Sequence, residues 1–234
     1  MHSLAVSIAS VHYFYPLAEK LVVLPHDEQS SFWNHAPKWA ASLIRLLPLE
    51  VTTESHSPLV RSRWIKTHSL GALQTDAVLL DADTLMVGHL KCETLFDAVG
   101  AARDRVASNF QEFEYLTGAQ NKFKEAGWDW LPKHRTHYNS GVITYRNTST
   151  GRMFAEAWPE AWEDFLLKTG TPYDQPAFNL TVHSLECCEE LPVAYNAPVA
   201  ILPSSSVEAK IYHYYSTGTT VDQLFHHKWN QTSY

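Results

Sequence analysis

The chain has 234 residues, 45% of them hydrophobic and 18% charged, with eight tryptophans, eleven tyrosines and a formal net charge of −7. Such a composition belongs to a folded globular protein with enough apolar mass for a sizeable core, and it excludes a low-complexity or disordered chain. The negative balance argues against nucleic acid as a partner, while a local basic pocket can still hold one small anionic ligand.

In chain order, residues 4–15 read as a short helix and 20–24 (KLVVL) as a buried strand stopped by Pro25. The apolar spacing of 39–47 (WAASLIRLL) predicts a helix, and LEVTTE (49–54) alternates as a short strand. An amphipathic helix over 61–73 leads into TDAVLLDAD (75–83), a strand with a continuous apolar run at 77–80. Residues 92–99 read as a helical segment. Residues 103–135, polar and aromatic by turns with Tyr115, Trp128 and Trp130, read as a long insertion or lid. HYNSGVITYRNT (137–148) alternates as a strand, and 151–167 is a tryptophan-rich helix. YDQPAFNLTVHSL (173–185) opens another helix, with Asp174 near its start and Pro176 in its first turn. A last strand is KIYHYY (210–215). Strands alternating with helices predict an α/β fold, a mainly parallel central sheet with helices on both faces, in a single domain over 1–234.

Cys92, Cys187 and Cys188 have no metal-type C-x-x-C spacing, and a vicinal pair is awkward to bridge, so free thiols are expected. No apolar run reaches the roughly 18 residues of a membrane span, and residues 1–10 lack the features of a signal peptide. A soluble, cytoplasmic protein is the expectation. Three N-x-S/T triplets, at Asn147, Asn179 and Asn230, pull weakly toward a secretory route.

The segment richest in chemistry is LLDADTLMVG (79–88). Two carboxylates one residue apart at a strand end repel each other and lose hydration, so a positive partner is needed. A hard divalent cation meets that need, because Mg²⁺ and Mn²⁺ take oxygen ligands and keep positions open for phosphate oxygens. The carboxyl ends of strands are also where open α/β sheets bind ligands. The bland alternative is that both aspartates only cap or close a turn.

LLDADTLMVG resembles the D-x-D segment of glycosyltransferase family 8, the GT-A nucleotide-diphospho-sugar transferases that include glycogenin and galactinol synthase. Further segments agree in order: WIKTHSL (64–70) with the family's lysine-bearing helix, YNSGVITYRN with its F-N-[SA]-G-V strand, and YDQPAFN with its D-Q-x-x-[LF]-N helix start. LPVAYNA (191–197) and IYHYYSTG (211–218) then resemble its L-P-x-x-[YF]-N and I-x-H-[FY] stretches. The likeness covers roughly residues 58–218. It implies a GT-A (Rossmann-like) fold and a hexosyltransferase acting on a UDP-sugar, UDP-glucose or UDP-galactose, with an unknown acceptor and retention of configuration. It implies that Asp81, Asp83 and His213 coordinate Mn²⁺ or Mg²⁺, and that Lys66, Ala82, Asn139, Ser140 and Gly218 join both aspartates in holding the donor. Asp174 and Gln175 are implied beside the anomeric carbon.

Each residue also has a plainer reading. Asp174 would cap its helix, Lys66 would be a solvated helix lysine, and His213 would pack among Tyr212, Tyr214 and Tyr215. The sequence departs from the family pattern in three places: the first strand of the sheet is expected to be missing, no lysine follows the metal histidine before Lys228, and the stretch between Asp83 and Asn139 is long. Two other functions stay open. One is a catalytically impaired relic that acts as a binding module. The other is a haloacid dehalogenase-type phosphatase, whose D-x-D-x-T segment VLLDADTL also resembles; there Asp81 is the nucleophile and Asp83 the general acid.

Overall fold

The structure, a computed structural model, describes residues 2–52, 57–91, 98–104, 124, 127, 135–199 and 208–214. It divides into two compact units: Met1–Glu50 with Leu80–Lys91 and Pro192–Tyr234, and Val51–Leu79 with Cys92–Leu191. The first unit opens with helix α1 (His2–Phe14), strand β1 (Leu21–Pro25), helix α2 (Gln29–His35) and strand β2 (Arg45–Leu49). β1 and β2 pair in parallel, Leu21 opposite Arg45 through Pro25 opposite Leu49. Ile8, Val22, Leu24 and Phe32 form the core beneath them, joined by Leu4, Ala36, Ile44 and Leu46.

The predicted helix over 39–47 is corrected here. A single 3₁₀ turn, Ala40–Ser42, is followed by β2; of the strand expected over 49–54, Leu49 ends β2, residues 50–52 are not strand, and 53–54 lie outside the described residues. Pro48 contributes a physical reason: the residue before a proline is pushed from helical toward extended backbone angles, which favours strand at Leu47. Strand pairing with β1 gives the same apolar residues a buried face.

The rest of this unit is a three-stranded sheet of β4 (Thr84–Met86), β9 (Ile211–His213) and β8 (Ala197–Pro198), in the order β4-β9-β8. β4 runs antiparallel to β9, and β8 parallel to it. α1 is tied to β4 by buried hydroxyls: the Met86 amide donates to Ser10 Oγ at 3.1 Å, and Ser7 Oγ lies 3.4 Å from Thr84 Oγ1. These polar ties let an apolar helix carry Ser7 and Ser10 on its inner face with both hydroxyls engaged.

The second unit contains helix α3 (Pro58–His68), strand β3 (Ala77–Leu80), strands β5 (Val99–Arg103) and β6 (Tyr138–Tyr145), helix α4 (Ser149–Thr169), helix α5 (Gln175–Ser184) and strand β7 (Cys188–Leu191). Its strand order is β3-β6-β5-β7, with β5 antiparallel to β6 and parallel to β7. Of the helix predicted over 92–99, residues 92–97 lie outside the described residues and Val99 begins β5. Nearly all of the 103–135 insertion, with Tyr115, Trp128 and Trp130, also lies outside them.

α4 shows how the sequence makes an element. Its buried residues Gly151, Phe154, Ala155, Trp158, Pro159, Trp162 and Phe165 recur at three- and four-residue spacing, giving one apolar stripe. Thr148 caps the start by accepting from the Gly151 amide at 3.1 Å, and Gly170 ends the helix with φ of 65°, a left-handed C-cap. Phe178 of α5 meets Phe154 and Trp158 edge-on.

Asn179 on α5 clamps the helix to β6. Its Oδ1 accepts from the Tyr138 amide at 2.7 Å, and its Nδ2 donates to the carbonyls of Tyr138 and Gln175, each at 2.9 Å. A buried asparagine spent in this way is a packing element, and the triplet it begins is not a surface loop. Cys187 and Cys188 are free thiols, and burial pushes the Cys187 thiol up to about 11. No helix among the described residues is long and apolar enough to cross a membrane.

Candidate functional site

In the first unit, Asp81, Ala82 and Asp83 form the turn between β3 and β4. Thr84 closes this turn: its amide and its hydroxyl both donate to the Asp81 carbonyl, at 3.1 and 2.7 Å. The Tyr214 amide donates to the Asp83 carbonyl at 3.0 Å, tying the turn to the end of β9. The register of the β4–β9 pair sets Thr84 opposite His213. His213 Nε2 therefore lies 3.3 Å from Asp83 Oδ1 and 3.8 Å from Asp81 Oδ2.

The other imidazole nitrogen is fixed as well. His213 Nδ1 lies 2.9 Å from Asn196 Oδ1, and since an amide oxygen only accepts, Nδ1 carries the proton. In the neutral ring the Nε2 lone pair then faces the two carboxylates, the tautomer a metal ligand needs. One ligand atom from each of the three residues lies within 4.8 Å of the others. Adjacent ligands of an octahedral ion with bonds near 2.1 Å are roughly 3 Å apart, so the set is close to the spacing that a small divalent cation requires. His213 is 3% exposed and Asp81 and Asp83 are partly exposed, leaving one side of the group toward solvent. Two carboxylate oxygens and an imidazole nitrogen suit Mn²⁺ or Mg²⁺ better than a soft metal.

The second unit brings together a different group. Asp174 is 4% exposed and Lys66 8%. Lys66 Nζ lies 2.9 Å from Asp174 Oδ2 and donates to Ser140 Oγ at 3.3 Å, while Ser140 Oγ donates to Asp174 Oδ2 at 2.7 Å. Arg63, one turn before Lys66 on α3, sets its Nε 3.3 Å from Asp174 Oδ1. Burial alone would push the Asp174 carboxyl up. The charges of Lys66 and Arg63, with hydrogen bonds from Lys66 and Ser140, outweigh that and hold it at about 2. At neutral pH this site therefore holds a buried, ionised carboxylate.

Both plain readings fail here. Asp174 stands at the N-cap position of α5, but its side chain makes no capping hydrogen bond. Lys66 is not solvated. Ser140 belongs to the group, whereas the Asn139 side chain turns back to accept from the Gly141 amide at 2.9 Å. Gln175, the first residue of α5, donates through Nε2 to Asp104 Oδ2 at 2.5 Å and lies 3.4 Å from His137 Nδ1. Ala82 is exposed in its turn, and Gly218 lies outside the described residues.

Three residues escaped the sequence reading. Arg63 had a usable signal, since it shares a helix face with Lys66 three residues on. Asn196 stands within LPVAYNA, where a polar residue beside buried apolar ones hints at an internal hydrogen bond. Asp104 had no signal, because it follows β5 at the edge of a stretch read as an insertion.

No protein-family model and no curated protein matches the sequence. Solved structures do match the fold. The chain is similar to the galactosyltransferase LgtC solved with donor and acceptor sugar analogs, with TM-score 0.56 and 13% identity over 91% of this chain and 82% of that one. It is similar to mouse xyloside xylosyltransferase 1 in its apo form, again at TM-score 0.56 and 13% identity, over 92% of each chain. The apo structure of the bifunctional glycosyltransferase WbbM gives TM-score 0.54 and 14% identity over 92% of this chain and 44% of that one. The fold is that of the GT-A glycosyltransferases.

Proposed function

We propose that the chain is a glycosyltransferase of the family 8 type, dependent on Mn²⁺ or Mg²⁺, that moves a hexose from UDP-glucose or UDP-galactose to an acceptor with retention of configuration. The observation that carries this reading is the Asp81–Asp83–His213 group, its imidazole held by Asn196, within a GT-A fold. When bound, the ion supplies Lewis-acid neutralisation of the charge on a departing diphosphate. Asp174 stays ionised at neutral pH and so supports positive charge developing on the sugar ring, with Ser140 and Lys66 fixing its orientation. Lys66 also presents a point charge to donor oxygens. Gln175 and Asn139 complete the residues assigned to the sugar, and Ala82 those assigned to the nucleotide.

The phosphatase alternative requires a different fold from the one observed, and His213 and Asn196 have no part in it. The relic reading makes a distinct prediction, namely binding without turnover. Incubating the chain with Mn²⁺ and a panel of UDP-hexoses, and following UDP release with and without simple glycoside acceptors, separates the two. Metal-dependent UDP release from one or two donors is expected. Tight UDP binding with no release from any donor would replace the transferase by the relic.

A further inference from the structure

The buried set beneath Gln175 is not explained by holding a metal or a sugar. β5 carries a register irregularity between Ala101 and Arg103, and beyond it Arg103 is exposed while Asp104 is 4% exposed. The Asp104 amide donates to the His137 carbonyl at 2.7 Å, extending the β5–β6 ladder by one residue. This sets the Asp104 carboxylate beside the His137 ring, Oδ2 to Nδ1 at 3.6 Å, with His137 only 1% exposed. Both groups lie at the Nε2 end of the Gln175 amide.

A free glutamine amide has two nearly equivalent orientations, related by a half-turn. A carboxylate removes that freedom, because it only accepts and so must face Nε2. Oε1 is thereby turned away from Asp104, and it makes no hydrogen bond among the described residues. Gln175 itself is only partly buried. We infer that Asp104 is a positioning residue: it locks the Gln175 amide so that Oε1, an acceptor, is the atom presented to the substrate sugar. The inference rests on the glycosyl-transfer reading above and deepens it. The ligand feature recognised is a donor group or electron-poor carbon on the sugar, and the amide nitrogen is withheld from it.

Asp104→Asn tests this, because it keeps the shape of the side chain but accepts either orientation of its neighbour. In a ¹H–¹⁵N spectrum the Gln175 side-chain amide pair, identified by its loss in Gln175→Ala, is expected to be shifted from the bulk glutamines and slow to exchange. In Asp104→Asn it is expected to join them, with the thermal midpoint showing that the fold persists. Turnover should fall about 10- to 100-fold in kcat with donor KM unchanged. Placed in a Gln175→Ala background, the same substitution should change kcat by less than about twofold, since Asp104 acts only through Gln175. Should Asp104→Asn not fold, Gln175→Asn, too short to reach Asp104, is expected to lose as much kcat as Gln175→Ala.

An unchanged Gln175 amide pair in Asp104→Asn, or full kcat once the pair has moved, would overturn the lock. An additive loss in the double variant would instead make Asp104 independent of Gln175, and would also overturn it. Absence of turnover in the unaltered chain would defeat the transferase reading, and the amide resonances would still decide the lock by themselves.

Discussion

Buried contacts decide the roles of Asn196, which meets His213, and of Asp174, which meets Lys66, Arg63 and Ser140. Asn196 meets the Asp81–Asp83–His213 group through His213, where its Oδ1 holds the proton on Nδ1. Asn196→Ala is therefore expected to weaken Mn²⁺ binding about 10- to 100-fold, measured by titration calorimetry. Asp174 has its carboxyl held at about 2, below the ordinary 3.8. A depressed carboxyl contributes stability that is whole above its unfolded value and is lost as pH falls through its folded value. Denaturant unfolding of the wild-type chain and Asp174→Asn should therefore show a gap that narrows between about pH 5 and pH 2. At pH 6 the variant should be about 3 kcal/mol less stable, because the buried ion pair of Asp174 with Lys66 is lost. Of these residues, Asp174 was legible in the sequence as part of a motif, but its environment was not. The partners Lys66 and Ser140 come from α3 and β6, remote along the chain.

At the level of elements, the periodic helix α4 and the strands β1, β3, β6 and β9 were legible, while β2 was misread as helix. α4 was legible because its aromatic stripe and its Thr148 and Gly170 ends agree with each other. β2 was misread because its apolar residues fit a helical spacing, and pairing with β1, helped by the extended bias that Pro48 puts on Leu47, selects the strand. The start of α4 offers a test. A Cβ on Gly151 would stand 1.9 Å from the Arg146 carbonyl oxygen, a backbone atom that cannot swing aside. Thr148→Ala should cost about 1 kcal/mol through loss of the cap. Gly151→Ala should cost clearly more, since the first turn of the helix must shift, and the two denaturation midpoints compared side by side check the order.

For the whole molecule, an ordered set of short segments carried the fold further than composition could. Alternating strands and helices predicted only an α/β layer structure. The segments D-A-D, N-S-G, D-Q-P and I-Y-H, in that order, resemble those of a GT-A family, and that resemblance is what implied the fold now observed. The two aspartates and His213 lie more than a hundred residues apart in sequence, yet the antiparallel β4–β9 register makes them neighbours. Sequence spacing alone gives no such distance. On the glycosyltransferase reading, this group binds a divalent ion together with a nucleotide diphosphate. Its most direct test is the thermal midpoint of the chain with Mn²⁺ alone, UDP alone and both, beside Asp83→Ala. Ligand at about 100 times its dissociation constant adds roughly 2.7 kcal/mol, a rise of several degrees at this size. The full rise is expected to need both ligands and to be absent in Asp83→Ala. A rise of equal size in Asp83→Ala, or none in the unaltered chain under any combination, would contradict it.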